Sequence, residues 1–217
     1  MAVSASLFPC VTELAEHYAG EGRAAPQLVV GSSGKLAAQI AGGAPYGLFL
    51  SADLEWLEYL RKKGLVERII TLAESPLVMW WLRSSPPKPS VVGERLRVAI
   101  ADPQTAPFGR AARGYLEQLG WFEKLVEENR LIVTADVLQA VLAVQSGGAD
   151  LAFTSLSVTK KLNRGSTTIL SEYKLVHAGA FITGKASRSL EAFWAYLRSA
   201  AAFPVWQRWG FYTEVPP

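Results

Sequence analysis

The chain has 217 residues and a mass of 23.6 kDa, enough for one large domain or two small ones. Half of its residues are hydrophobic and only 19% are charged, which excludes a disordered tail protein and allows a substantial core. Net charge is +3 and the pI about 9.0, but the basic residues (Arg61-Lys62-Lys63, Arg95, Arg97, Lys160-Lys161) are scattered; this reads as a solvated surface and argues against nucleic acid as a partner.

Taken in chain order, short apolar runs alternate with stretches of helical period. Met1–Val3 reads as a strand. The opening MAVSASLF has neither the basic start nor the long apolar stretch of a signal peptide, so any such leader is expected to have been removed. Val11, Leu14, Ala15 and Tyr18 then follow the spacing of one helix face. Gln27–Val30 is a second strand, followed by a shorter face of Leu36, Ala37 and Ile40. Gly47–Leu50 is a third. After it, Leu54, Leu57 and Leu60 share a face, with Ser51 or Asp53 as cap and Gly64 as stop.

Leu77–Leu82 is a strand containing Trp80-Trp81, which read as core. Ser84–Ser90 has proline at three of seven positions and is a linker, neither helix nor central strand. Beyond it come a strand at Leu96–Ala101, a helix at Ala111–Leu119 ending on Gly120, and a strand at Leu131–Val133. A helix at Val137–Val144 ends on Gly147-Gly148. Strands at Leu151–Phe153 and Ala178–Ile182 and a helix at Leu190–Leu197 complete the series. No apolar run approaches the roughly 20 residues of a membrane span. Such alternation predicts an α/β fold with mostly parallel sheets. The late unit Ala178–Ala200 is expected to complete the first lobe. That gives a discontinuous lobe, 1–79 plus 178–217, and a second lobe, 80–177.

In open α/β sheets, ligands bind where strands end and helices begin. The first such turn holds Ser4, Ser6 and Pro9, and the second reads Gly31-Ser32-Ser33-Gly34. Glycine permits close backbone approach, serine supplies a hydroxyl, and a helix start adds N–H groups and a positive dipole end. Together they make an anion site without a charged side chain. Each serine alone reads as an ordinary N-cap; two such turns in adjacent units favour a shared site. Three further turns qualify: Asp102–Gly109, Thr134-Ala135-Asp136-Val137 and Thr154-Ser155-Leu156-Ser157. In the second of these, Asp136 is expected to cap the helix and Val137 to offer its N–H.

Enzyme signatures are lacking. His17 reads as solvent-facing, His177 as structural and Cys10 as a small buried hydrophobe; a lone thiol leaves the redox compartment open. No nucleophile-elbow, phosphate-loop or metal-ligand pattern occurs, so neither catalysis nor a cofactor is expected.

Several segments resemble the periplasmic molybdate-binding protein family over nearly the whole chain. They are Ala5-Ser6-Leu7, Ser32 to Ile40, Gly43-Ala44-Pro45, Leu48 to Asp53, Ala101-Asp102-Pro103 with Pro107 and Gly109, Tyr115 to Gly120, and Arg208-Trp209-Gly210-Phe211. The resemblance implies a two-lobed type II periplasmic-binding fold, with the ligand in the cleft between the lobes. It implies a periplasmic or extracytoplasmic receptor, expected to be monomeric, that passes a tetrahedral oxyanion (molybdate or tungstate) to the membrane permease of an ABC importer. Carried over by position, Ser6 and Ser33 would contribute hydroxyl and amide donors, Phe108 and Val137 backbone N–H groups. Ser155 stands where the family often has a tyrosine hydroxyl, and Tyr46-Gly47-Leu48 where it usually has an acidic residue. The alternatives are a ligand-sensing effector domain of a transcription regulator and a receptor for a different small anion.

Overall fold

The structure is a computed structural model and describes residues 1–85, 88 and 95–213. The chain forms two compact units, Met1–Ser75 with Val176–Pro217, and Pro76–Leu175.

In unit 1, strand β1 (Ala2–Ser4) lies between β2 (Val29–Gly31) and β3 (Leu48–Ser51), parallel to both. Beyond β3 runs β8 (Ser166–Phe181), antiparallel, with Leu48 opposite Phe181 and Ser51 opposite Ala178. Both faces of this sheet are covered, and alternate residues go to opposite sides. Val3, Leu48 and Leu50 pack with Val11, Leu14 and Tyr18 of α1 (Phe8–Gly20) and with Phe193 and Trp194 of α8 (Arg188–Leu197). Ala2, Phe49, Ala178 and Ala180 pack with Leu36 and Ile40 of α2 (Ser33–Ala41) and with Leu57 and Leu60 of α3 (Glu55–Lys62). A strand buried on both sides has no polar face, which is why Leu48, Phe49 and Leu50 of β3 read as an apolar run.

Unit 2 repeats the plan. Strand β5 (Val98–Ala101) lies between β6 (Leu131–Thr134) and β7 (Leu151–Ser155), parallel to both, and β4 (Ile70–Trp81) pairs antiparallel with β7. Its helices are α4 (Pro107–Gln118), α5 (Phe122–Glu127), α6 (Val137–Gln145) and α7 (Leu156–Thr159). The start of α4 sits hard against the end of β5. A Cβ on Gly109 would lie 2.2 Å from the Ala101 carbonyl oxygen, so no other residue fits there without moving backbone. Gly47 is fixed the same way, its Cβ position lying 2.4 Å from the Lys185 carbonyl oxygen.

Several boundaries differ from the sequence reading. β4 and β8 are 12 and 16 residues long, far beyond the apolar runs Leu77–Leu82 and Ala178–Ile182. Their extra residues mix polar and apolar side chains, and pairing supplies what apolar pattern does not; Glu74, for example, exchanges two backbone hydrogen bonds with Tyr212, both 2.8 Å. Helix α4 begins at Pro107, not Ala111, because proline's fixed φ suits the first turn of a helix. Leu54 is not on the buried face of α3; it precedes the helix and is 41% exposed. Three short helices lacked a readable period: α5, α7 and α9 (Phe203–Arg208), of six, four and six residues. The expected linker Ser84–Ser90 lies largely outside the described residues.

The remaining readings concern packing. Trp80, Trp81, Trp194, Trp206 and Trp209 are all buried, as is Cys10, while His17 is exposed. His177 is fully buried, its ring edge-on to Phe211 at 5.1 Å, and burial pushes its pKa down to about 3. It therefore stays neutral at physiological pH, inside a core.

Candidate functional site

Each unit holds a parallel trio whose chain-first member, β1 in unit 1 and β5 in unit 2, is the middle strand, and all three strands end on the same side. The strand order reverses there, the position where open α/β sheets bind ligands.

In unit 1 this edge carries the turns after β1, β2 and β3. The Ala5 N–H donates to the Gly31 carbonyl at 3.0 Å, tying the first turn to the second. Ser6 lies in the first turn, 1% exposed, with its Oγ 3.4 Å from that of Ser4. Ser33 is the first residue of α2 and has no exposed surface. Neither serine is an N-cap. The N-cap positions are Leu7 for α1 and Ser32 for α2, and neither side chain makes a capping bond. The Ser33 hydroxyl instead accepts the Ala52 N–H at 3.0 Å, from the turn after β3. A hydroxyl has one proton and two lone pairs. With Ala52 donating into one lone pair, the Ser33 proton is directed elsewhere, at the start of a nine-residue helix whose dipole favours negative charge.

In unit 2 the corresponding edge carries Phe108, Val137 and Ser155. Phe108 is the second residue of α4 and 2% exposed. The turn before it is tied by Asp102, whose carboxylate accepts the Gln104 N–H at 2.9 Å and the Thr105 hydroxyl at 3.2 Å. Val137 opens α6. Asp136 caps that helix through its Oδ1, accepting the Leu138 and Gln139 N–H groups at 2.9 and 3.1 Å, so the Val137 N–H lies outside the cap. Asp136 is thus committed to the helix, as its position predicts. Ser155 ends β7, has no exposed surface, and shares a 2.9 Å hydrogen bond with the equally buried Ser157. Next to it, the Thr154 hydroxyl donates to the Val137 carbonyl at 3.1 Å and ties the β7 turn to the start of α6.

The structure thus gathers Ser6 and Ser33 at one edge of unit 1, and Phe108, Val137 and Ser155 at the matching edge of unit 2. None of the five carries an ionisable side chain. Among the described residues no cluster of His, Cys, Asp and Glu could hold a metal ion. Sequence reasoning missed Ala52 and Ser157 as partners of the site hydroxyls. The signal was present for Ala52, since Ser51-Ala52-Asp53 is the third strand-to-helix turn of its trio, but the segment was read as a cap and as part of the family resemblance, not as a turn that meets Ser33.

Known proteins match this chain in sequence and in fold. The family model for bacterial extracellular solute-binding proteins matches residues 1–212. The molybdate-binding protein ModA of Rhodobacter capsulatus is 30% identical over 200 residues, covering 85% of this chain and 76% of that protein. ModA of Azotobacter vinelandii is 32% identical over 199 residues, covering 83% and 76%. The solved structure of the Azotobacter vinelandii periplasmic molybdate-binding protein superposes with a TM-score of 0.89 at 28% identity, covering 98% of each chain. The fold is therefore that of the type II periplasmic-binding proteins, and the match is to solute-binding proteins, which bind ligands and are not enzymes. The chain belongs to the bacterial extracellular solute-binding proteins, in the family of the periplasmic molybdate-binding proteins.

Proposed function

We propose that this chain is the periplasmic or extracytoplasmic receptor of an ABC importer, that it captures molybdate and also tungstate, and that it delivers the anion to a membrane permease. In this reading the anion's donors are the Ser6 and Ser33 hydroxyls, the Phe108 and Val137 N–H groups and Ser155. The observation that carries this reading is the Ser33 hydroxyl. It is buried at a helix start, it does not cap that helix, and a backbone N–H already fills one of its lone pairs. A donor so placed suits an oxyanion.

The chemistry follows from the donor set. Burying a dianion is costly unless its oxygens are hydrogen-bonded, and charge-assisted bonds from N–H and hydroxyl groups offset that cost. A site of donors suits a fully ionised anion; phosphate keeps a proton at neutral pH and needs an acceptor, so it is disfavoured. Sulfate and molybdate share charge and shape, so size must separate them. Tungstate is nearly as large as molybdate and is accepted with it. The names of the relatives support molybdate. No helix among the described residues is long and apolar enough to cross a membrane.

Thermal shift or calorimetry with molybdate, tungstate, sulfate and phosphate tests this. A ligand that binds only the folded chain raises its melting temperature. Molybdate and tungstate should do so at micromolar concentration. If none of the four does so at millimolar concentration, the oxyanion reading is wrong.

A further inference from the structure

We infer that the turn Ser51-Ala52-Asp53 is a positioning device for the ligand-binding hydroxyl of Ser33, with Ser51 and Asp53 as the residues that set it. The inference rests on the proposed oxyanion site and extends it to residues that do not touch the anion.

The turn joins β3 to α3 and is built around one backbone group. Ala52 is 2% exposed and its N–H donates to Ser33 Oγ at 3.0 Å, across 19 residues of sequence. The residues on either side of Ala52 bond to each other. The Ser51 hydroxyl donates to Asp53 Oδ1 at 3.2 Å, and the Asp53 N–H donates back to Ser51 Oγ at 3.3 Å. Asp53 Oδ1 also accepts the Trp56 N–H at 3.3 Å, in the first turn of α3. Ser51 is itself held in register opposite Ala178 and has no exposed surface. The Ala52 N–H is thus fixed at both ends, by the sheet through Ser51 and by the helix through Asp53.

This arrangement does more than hold a loop. A serine hydroxyl rotates freely and donates or accepts as its surroundings dictate. The Ala52 N–H can only donate, so Ser33 Oγ must accept on that side, and its proton points away from the turn. Ser33 becomes a fixed donor, with its orientation prepared before the ligand arrives, and preorganised donors lose less free energy on binding. The bond from Ala52 also polarises the hydroxyl and strengthens the one it makes in turn.

A double-mutant cycle with molybdate on the full chain, read by calorimetry, tests the coupling. Ser51→Ala removes both turn bonds while keeping a small side chain in a buried place. It should weaken molybdate binding about fivefold, the scale of one lost hydrogen bond. In a Ser33→Ala background the same change should cost less than twofold, because Ser51 acts through Ser33. Asp53→Asn, which keeps an acceptor oxygen, should retain most of the affinity that Asp53→Ala loses. Ligand-free melting curves confirm folding of each variant; should Asp53→Ala not fold, the Ser51→Ala cycle stands on its own. Equal losses from Ser51→Ala with and without Ser33, or no loss at all, would overturn the positioning role while the oxyanion site stands. An unsubstituted chain that binds no oxyanion would overturn both.

Discussion

Unit 1 and unit 2 share a strand plan: the first strand of a parallel trio lies between the other two, and a longer antiparallel strand pairs with the third. They differ in the atoms presented at the strand ends. Unit 1 offers side-chain hydroxyls, Ser6 and Ser33, the latter fixed by a backbone N–H from a neighbouring turn. Unit 2 offers two helix starts, at Phe108 and Val137, plus one hydroxyl already paired with a second, Ser155 with Ser157. A backbone donor does not depend on the side chain that carries it, whereas a hydroxyl is lost with one substitution. The two halves should therefore respond very differently to mutation.

The largest effect should come from the packing that places a backbone donor. Gly109→Ala puts a Cβ 2.2 Å from the Ala101 carbonyl oxygen and should destabilise unit 2 by about 3 kcal/mol, read from the urea midpoint. Gly114→Ala, in the same helix with open space around it, should instead stabilise by about 0.5–1 kcal/mol. Equal effects would show that the tight contact between α4 and β5 does not matter.

On the hydroxyl side, Ser33→Ala should weaken anion binding by about 1–3 kcal/mol, the scale for a hydrogen bond to a charged group. Unchanged affinity would remove Ser33 from the site.

His177 belongs to unit 1, so acid should lower the stability of that unit. His177 has a folded pKa near 3 against about 6.5 when unfolded. Above pH 6.5 both states are neutral and the residue adds no pH dependence. As pH falls from 6.5 toward 3 only the unfolded chain takes up the proton, so stability drops. At pH 5.5 the loss should be about 1.4 kcal/mol, and hydrogen exchange should show it in unit 1. His177→Leu should flatten the stability curve over that range; an unaltered slope would assign the acid sensitivity elsewhere.

Asp136→Ala removes the α6 cap and should cost about 1 kcal/mol of stability. The smallest effect sharpens the contrast most: Val137→Ala should change anion affinity by less than about 0.5 kcal/mol, because only its N–H is used. A loss as large as that of Ser33→Ala would mean that unit 2 also depends on side chains.

Much of this was legible in the sequence. The faces of α1 and α2 were read residue by residue, since Val11, Leu14, Ala15, Tyr18, Leu36, Ala37 and Ile40 are all buried. The strand-to-helix turns were legible because glycine, serine and proline mark them chemically. What stayed hidden was contact between turns distant in sequence. Ser33 looked like a cap because serine at a helix start usually is one. Its actual partner, Ala52, offers only a main-chain N–H, which leaves no trace in residue type.

The sequence by itself determined the α/β class, the family resemblance and the positions of the strand-to-helix turns, because hydrophobic period and turn chemistry are local properties. Tertiary structure alone decided the length of β4 and β8, the close approach that requires Gly109, and the direction of the Ser33 proton. Those depend on which backbone groups meet across the sheet, and backbone groups are the same in every residue but proline.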